Sequence, residues 1–353
     1  MSKNRNKIPR CILVTGGSGY FGEVLVKLLR SRGDRVRILD VNKTDIAGIE
    51  QIQGDIRDPE CVSEACRDMD IVFHNVAQVP LAKDRNAFWS VNLEGTRLLL
   101  QEARKAGVTK LVYTSSSAVF GAPPLGLVTR DTVPAPAEEY GRAKLAGEEL
   151  CRKASENGLD TTIIRPRTIL GHGRLGIFQI LFEWVATGKD VPVFNDGHNR
   201  YQFVHADDLA SACIAAGDRP GFGVYNIGAT HFGTMREMLE GLIQHAGTPS
   251  RVKSLPMGLM EIAMNLASTV GLSPLGPYHA LMYGRELYFD LSDAQRDLDY
   301  KPRYSSLAAI CESYDWYLQY RASPARGGLS HHKSAVKQQI IALTPYLLKL
   351  LPA

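Results

Sequence analysis

The sequence lacks any long uninterrupted apolar run, any CxxC pair and any marked excess of one charge. The Met- and Leu-rich stretch at 256–276 carries Glu261 and Asn265 in its middle, so it is not expected to span a membrane. The six cysteines, Cys11, Cys61, Cys66, Cys151, Cys213 and Cys311, are scattered without metal-ligand spacing. They read as reduced thiols, which points to a cytoplasmic protein. Lys and Arg number 41 against 37 Asp and Glu, a formal charge of +4 over 353 residues. That balance gives no reason to expect a nucleic-acid partner. The N-terminus, MSKNRNKIPR, is polar and leads straight into a strand, so no signal peptide is expected. What the chain does have is a hydrophobic fraction of 44%, enough for one large α/β domain or two coupled ones.

Residues 11–15, CILVT, form a short apolar run that ends in glycines, the pattern of a buried parallel strand followed by a helix, here 20–32. Similar runs recur at Val36–Leu39, Ile71–His74, Lys110–Thr114 and Thr161–Arg165, separated by helical patterns that include Asn92–Ala106 and Glu138–Glu156. Alternation of this kind specifies an α/β fold with a doubly wound parallel sheet. After Pro166 the glycines 171, 173 and 176 loosen the pattern before a strand-like YQFVH at 201–205.

Gly16, Gly19 and Gly22 lie in TGGSGYFG between the first strand and the first helix. Side-chain-free positions there let backbone N–H groups approach a pyrophosphate at a helix N-terminus. Asp40 ends the second strand and is placed to accept from a ribose 2′-hydroxyl, so NAD is preferred to NADP. Arg37 and Lys43 flank it, and either reaching around to a 2′-phosphate would reverse the preference.

Tyr140 and Lys144 stand four apart in a helical pattern and project from one face. A phenol becomes a usable base when a nearby ammonium stabilises its phenolate. Ser116 follows the Lys110–Thr114 strand and is placed to share a hydrogen bond with a reacting oxygen. Each feature is common alone; their conjunction with the glycine turn is not.

With GDIRD at 54–58, HNVAQ at 74–78, VNLEGT at 91–96, YTSSSAVFG at 113–121, YGRAK at 140–144 and IIRP at 163–166, the chain resembles the extended short-chain dehydrogenase/reductase superfamily over about residues 10–320. The similarity is to the nucleotide-sugar epimerase and dehydratase branch and to the 3β-hydroxysteroid dehydrogenase branch. The resemblance implies a Rossmann-type domain over 1–170, with 201–228 returning to it, and a smaller substrate-binding region over 171–200 and 229–325. It implies cofactor contacts at Tyr20 and Phe21, with Asp55 and Ile56 bordering the adenine and Ala77 and Gln78 lining the cofactor's central part. It further implies that Asn92 supports the helix carrying the site, that Thr114, Lys144 and Arg167 contact the cofactor, and that Ser116, counted back from Gly121, is the catalytic hydroxyl. A homodimer through the helices bearing Asn92 and Tyr140 is expected on the same ground. The 4,6-dehydratases carry an acidic pair after that hydroxyl, where this chain has Ser117 and Ala118, which sets dehydration aside. Val76 replaces a small residue of the family motif and narrows the expected cofactor channel.

Arg200 and Arg285 match the two arginines that clamp a substrate diphosphate in the epimerase branch, and guanidinium suits phosphate by its planar paired donors. The plainer alternative pairs them with Asp207 and Asp290. Segment 292–305, SDAQRDLDYKPRYS, also resembles the hydroxysteroid branch. The stretch 326–353 reads as a Gly/Ser/His linker followed by a cationic apolar tail with Lys333, Lys337 and Lys349, short for a bilayer but suited to lying in a membrane interface. A peripheral contact at the inner membrane face and a helix docking on the body or on a partner subunit are equal alternatives for it. The leading expectation is thus an NAD-dependent epimerase of a nucleotide-activated or lipid-diphosphate-linked sugar. A dehydrogenase of a sterol or lipid alcohol comes second, and a noncatalytic dinucleotide sensor third. No metal is expected.

Overall fold

The computed structural model describes residues 9–78, 85–124, 126–174, 178–256 and 284–322. The strands are β1 (Cys11–Thr15), β2 (Arg35–Asp40), β3 (Glu50–Gln53), β4 (Ile71–His74), β5 (Lys110–Thr114), β6 (Leu127–Val128), β7 (Asp160–Pro166), β8 (Thr168–Leu170), β9 (Val191–Phe194), β10 (Phe203–His205), β11 (Gly223–Ile227), β12 (Val252–Leu255) and β13 (Tyr288–Phe289). The helices used below are α1 (Tyr20–Ser31), α2 (Pro59–Cys66), α3 (Arg85–Trp89), α4 (Gly95–Lys105), α5 (Glu139–Glu156), α6 (Phe178–Ala186), α7 (Ala206–Asp218) and α8 (Met235–Ala246), followed by Ser292–Leu298 and Ser306–Ala322.

Seven parallel strands form one sheet in the order β11-β7-β5-β4-β1-β2-β3. The apolar runs read from the sequence are its interior: β4, β5 and β7 are almost wholly buried because helices cover both faces. One core lies between the sheet and the α1/α7 layer, built on Ile12, Val14, Leu25, Ile38 and Leu209. A second lies on the α2/α4/α5 side, built on Leu13, Val72, Leu99, Leu111 and Ile163. A third, around Phe178, Phe182, Tyr201, Leu239 and Tyr314, joins α6, α8 and the helix Ser306–Ala322 outside the sheet.

Strand order reverses at the boundary between β1 and β4, where Thr15 pairs with His74. Open α/β sheets form their ligand crevice beyond the C-terminal strand ends at such a point. Here the loops beginning at Gly16 and Asn75 flank it. Among the described residues no helix is long and apolar enough to cross a membrane. Segment 257–276 and the tail 326–353 lie outside the described residues, as do the expectations attached to them.

Candidate active site

Gly16 adopts φ +72°, and a Cβ there would stand 3.0 Å from the Val76 backbone nitrogen, so β1 can turn sharply against the β4 loop only without a side chain. Gly22 is tighter: a Cβ would meet the Gly16 carbonyl at 2.0 Å. Gly19 is the N-cap of α1 and supplies no side-chain cap, leaving the first backbone donors, at Tyr20 and Phe21, for an anion. The Tyr20 and Phe21 side chains themselves are buried in the core, so any cofactor contact from them is a backbone one. This cradle fits a dinucleotide pyrophosphate.

Asp40 is buried and accepts from Ser18 N at 3.0 Å and Asn42 N at 2.9 Å, which ties the glycine turn to the end of β2. Arg37 does not reach around to it. Its Nε donates to Glu50 at 2.6 Å and its Nη1 to the carbonyls of Glu64, Ala65 and Arg67, so this guanidinium is committed to the α2 C-terminus and not to a 2′-phosphate. Asp55 is held by Arg57, whose hydrogen bond keeps the carboxyl below the usual range. Ile56 is buried beneath Gly95, where a Cβ would lie 2.7 Å from its Cγ2.

The serines after β5 separate by partner. Ser115 Oγ donates to Glu148 at 2.6 Å, and Glu148 receives Arg165 through two bonds of 2.8 and 2.6 Å, so Ser115 belongs to a buried ion pair. Ser117 Oγ accepts from Arg167 at 2.9 Å. Ser116 hydrogen-bonds Tyr140, and its Oγ accepts from Ala118 N at 3.1 Å. Burial pushes the Tyr140 phenol up to about 12, and the Ser116 hydrogen bond works in the opposite direction. One helical turn on, Lys144 Nζ donates to the Thr114 carbonyl at 2.8 Å and lies 4.8 Å from the Tyr113 ring centre. Burial pulls its pKa down to about 8. The arrangement can move a proton between a bound hydroxyl, Ser116 and Tyr140 beside a buried cation.

The Asn92 side chain holds the β4 loop: Oδ1 accepts from Gln78 N at 2.7 Å and Nδ2 donates to Gln78 O at 3.0 Å. It lies in a π-helical turn, Ser90–Glu94, which also replaces the start expected for a regular helix at 92. Holding Gln78 fixes the backbone from Asn75 through Ala77. Asn75 was not singled out by sequence; its Oδ1 accepts from Thr114 Oγ1 at 2.6 Å while its buried Nδ2 has no acceptor. A donor left over beside Gly16 is a further fit to a cofactor.

Beneath this loop His74 bridges Thr15 Oγ1 at 2.7 Å and Thr96 Oγ1 at 2.9 Å. Thr96 donates to the Asn92 carbonyl, so His74 carries its proton on Nε2 and accepts from Thr15 on Nδ1. Burial, aided by the charge of Lys144, depresses its pKa from 6.5 to about 3. The folded chain therefore binds fewer protons than the unfolded one between these values, and stability from neutral His74 is complete above 6.5 and lost as pH falls towards 3. From pH 6.5 to 5 the loss amounts to about 2 kcal/mol. Urea unfolding at pH 7 and pH 5 is expected to show a drop that large in the wild type beyond the drop in His74→Gln; parallel drops would remove His74 from the acid response.

Arg167 is fully buried, with its guanidinium 4.7 Å from the Tyr201 ring centre and 5.7 Å from that of Phe289. Arg200 and Arg285 are both exposed, and their segments run side by side. Leu287 N donates to the Arg200 carbonyl and Asn199 Nδ2 to that of Arg285, each at 3.3 Å. The Arg200 guanidinium stacks on Tyr288 at 4.4 Å. The expected alternative partners are engaged elsewhere, Asp207 with Arg303 and Asp290 with Ser292. His172, His205 and Glu312 cluster with metal-like spacing. His205 Nδ1 accepts the Asp207 N–H, so the neutral ring carries its proton on Nε2 and has no lone pair there for a metal. Glu312 lies 3.3 Å from His172 Nδ1 and 3.2 Å from His205 Nε2.

The model of the NAD dependent epimerase/dehydratase family matches residues 12–228. The chain belongs to that family. NAD is accordingly its cofactor, in agreement with Asp40 and with the commitment of Arg37 elsewhere. Among similar proteins, "Uncharacterized protein y4nG" of Sinorhizobium fredii is 57% identical over 349 residues, covering 98% of this chain and 88% of its own. The UDP-glucose 4-epimerase of Mycolicibacterium smegmatis is 30% identical over 272 residues, covering 71% and 87%. Sterol demethylase protein B of Methylococcus capsulatus is 28% identical over 327 residues, covering 86% and 97%.

Proposed function

We propose that this family member is an epimerase of a diphosphate-linked sugar, either nucleotide-activated or carried on a lipid. The observation that carries the proposal is that the Arg200 and Arg285 segments run beside one another, with Leu287 N on the Arg200 carbonyl and Asn199 Nδ2 on that of Arg285, so that one diphosphate would lie within reach of both side chains. Resemblance to a UDP-glucose 4-epimerase supports it. Residues 171–200 and 229–325 would form the substrate region, and the protein would act as a homodimer.

The glycine turn at Gly16, Gly19 and Gly22 together with Asp40 would hold NAD+, which would supply the hydride acceptor and donor for the reaction. Tyr140 accepts the proton of the sugar hydroxyl and returns it after the keto sugar has presented its other face. Ser116, hydrogen-bonded to the same phenol, would also hydrogen-bond the reacting oxygen. Lys144 supplies the positive charge that favours the phenolate, and its bond to the Thr114 carbonyl fixes where that charge sits. Asn92, through Gln78, keeps the β4 loop against the glycine turn so that the cofactor cradle is rigid.

The second reading, a dehydrogenase of a sterol or other lipid alcohol, is favoured by the similarity to sterol demethylase protein B over nearly its whole length. Its first step is identical; the difference is the fate of the hydride. Purified protein with NAD+ and a panel of nucleotide sugars and hydroxysteroids separates them. An isomer formed without net NADH supports the epimerase, and NADH appearing in step with a ketone replaces it by the dehydrogenase.

A further inference from the structure

Arg167 is the single residue between β7 and β8, at the point where the chain leaves the seven-stranded sheet. Its backbone N–H donates to the Ile227 carbonyl at 2.9 Å, and the residue is only 1% exposed. Burying a guanidinium is costly unless its surroundings engage it, so the groups that do so here fix its position. Nη1 donates to Ser117 Oγ at 2.9 Å, on the turn that Ser116 begins. The guanidinium also packs on two rings, 4.7 Å from the centre of Tyr201 and 5.7 Å from that of Phe289. Tyr201 directly follows Arg200, bridges to Leu287 and shares a 3.1 Å hydrogen bond with Thr168 Oγ1. Phe289 directly follows Tyr288, the ring on which Arg200 stacks. One buried side chain thus joins the Ser116 turn to both of the segments that bear Arg200 and Arg285.

We infer that Arg167 is a positioning residue: it holds the Ser116 hydroxyl at a fixed distance from the Arg200 and Arg285 segments, so that a substrate gripped by its diphosphate presents the reacting hydroxyl to Ser116 and Tyr140. This rests on the proposed epimerase of a diphosphate-linked sugar. The chain before Ser116 is braced from β7 and α5: Ser115 N donates to the Ile164 carbonyl at 2.7 Å, and Ser115 Oγ to Glu148, itself paired with Arg165. Beyond Ser116 the turn's own backbone bonds are long, Val119 N to the Ser116 carbonyl and Gly121 N to that of Ala118, both at 3.3 Å. Arg167 supplies the shorter bond on that side, through Ser117. Neither brace engages the Ser116 hydroxyl. A misplacement of about 1 Å at a reacting centre costs about a hundredfold in rate. Binding energy gained at a remote diphosphate becomes rate only if the frame between the two places is stiff. Loss of the Arg167 arm should therefore lower turnover while leaving the binding of the diphosphate as it was.

The test uses full-length protein and three variants: Ser117→Ala, which removes the acceptor and keeps the arginine, Arg167→Lys, which keeps a cation, and the two together. Calorimetry gives the affinities for NAD+ and for UDP, thermal unfolding reports the fold, and a panel of nucleotide sugars gives turnover. Ser117→Ala is expected to lower turnover by about tenfold, with both affinities within about twofold of the wild type and the melting temperature nearly unchanged. The double variant should be no slower than the slower single one, because both changes remove the same bond. Wild-type turnover in Ser117→Ala, or losses that multiply in the double variant, overturns the inference. A parallel fall in turnover, both affinities and melting temperature also overturns it, by making the bond a part of the fold alone. Loss of NAD+ affinity in Arg167→Lys without a loss in Ser117→Ala would replace it by a cofactor contact of the arginine. Wild-type protein that binds no UDP or turns over no nucleotide sugar instead removes the diphosphate proposal on which the inference rests.

Discussion

Tyr140→Phe is expected to lower turnover by about a thousandfold while leaving the fold and NAD+ binding nearly intact. The expectation comes from what the substitution removes. The Tyr140 ring is buried, with its edge to Phe88, and phenylalanine keeps that packing. Only the hydroxyl goes, and its hydrogen-bond partner Ser116 is half-buried, so water can replace the lost bond at a cost of about 1 kcal/mol. The chemical step loses far more, because no other phenol or imidazole with a free proton faces Ser116 among the groups described above. The experiment pairs turnover, on whichever compound of the sugar and steroid panel reacts, with calorimetric NAD+ binding. A variant retaining more than about a tenth of wild-type turnover with normal NAD+ affinity would take the acid/base role away from Tyr140.

The parts of this molecule that were legible in the sequence are those where burial or backbone geometry dictates residue type. CILVT, IVFH and KLVYT announce interior strands because both faces of a parallel sheet are covered. The glycine turn is legible because Gly22 meets Gly16 so closely that no side chain fits. The edge strand EQIQ of β3 has no such signature: three of its four residues are polar, since one side of it pairs with β2 and the other meets solvent. GVYNI of β11, at the opposite edge, begins on glycine and is likewise only partly buried. The three consecutive serines were chemically indistinguishable in sequence. The count back from Gly121 singles out Ser116 by resemblance, but the partners that hold the other two lie 33 residues away for Ser115 at Glu148 and 50 residues away for Ser117 at Arg167, and only folding brings them in. Asn75 was missed for a similar reason. It matters through a donor with no acceptor, a property that does not belong to residue type alone.

Replacing Lys144 should show stability and activity moving in opposite directions. Its ammonium is buried, with a carbonyl and an aromatic face as its near neighbours, and burial depresses its pKa from 10.5 to about 8. For a base whose folded pKa lies below the unfolded one, the folded chain binds fewer protons in the interval between them. Stability therefore rises as pH goes from about 8 to 10.5, and at neutral pH the protein carries a cost on the order of 3 kcal/mol for keeping this cation inside. Lys144→Met removes that cost and fills similar volume, while leaving the Thr114 carbonyl without its donor, a penalty of about 1–3 kcal/mol. The variant is thus expected to be as stable as the wild type or more so at pH 7.5, and its unfolding free energy should rise less between pH 7.5 and 9.5. Turnover should nevertheless fall by about a hundredfold or more, because in the proposed mechanism the phenolate of Tyr140 would lose the charge that stabilises it. Chemical denaturation at the two pH values together with turnover measures both halves. A variant that is markedly less stable at pH 7.5 would make Lys144 a structural cation whose loss disturbs activity only through the fold. Equal or greater stability with activity gone would mean that this chain retains a buried, destabilising charge for the sake of its chemistry.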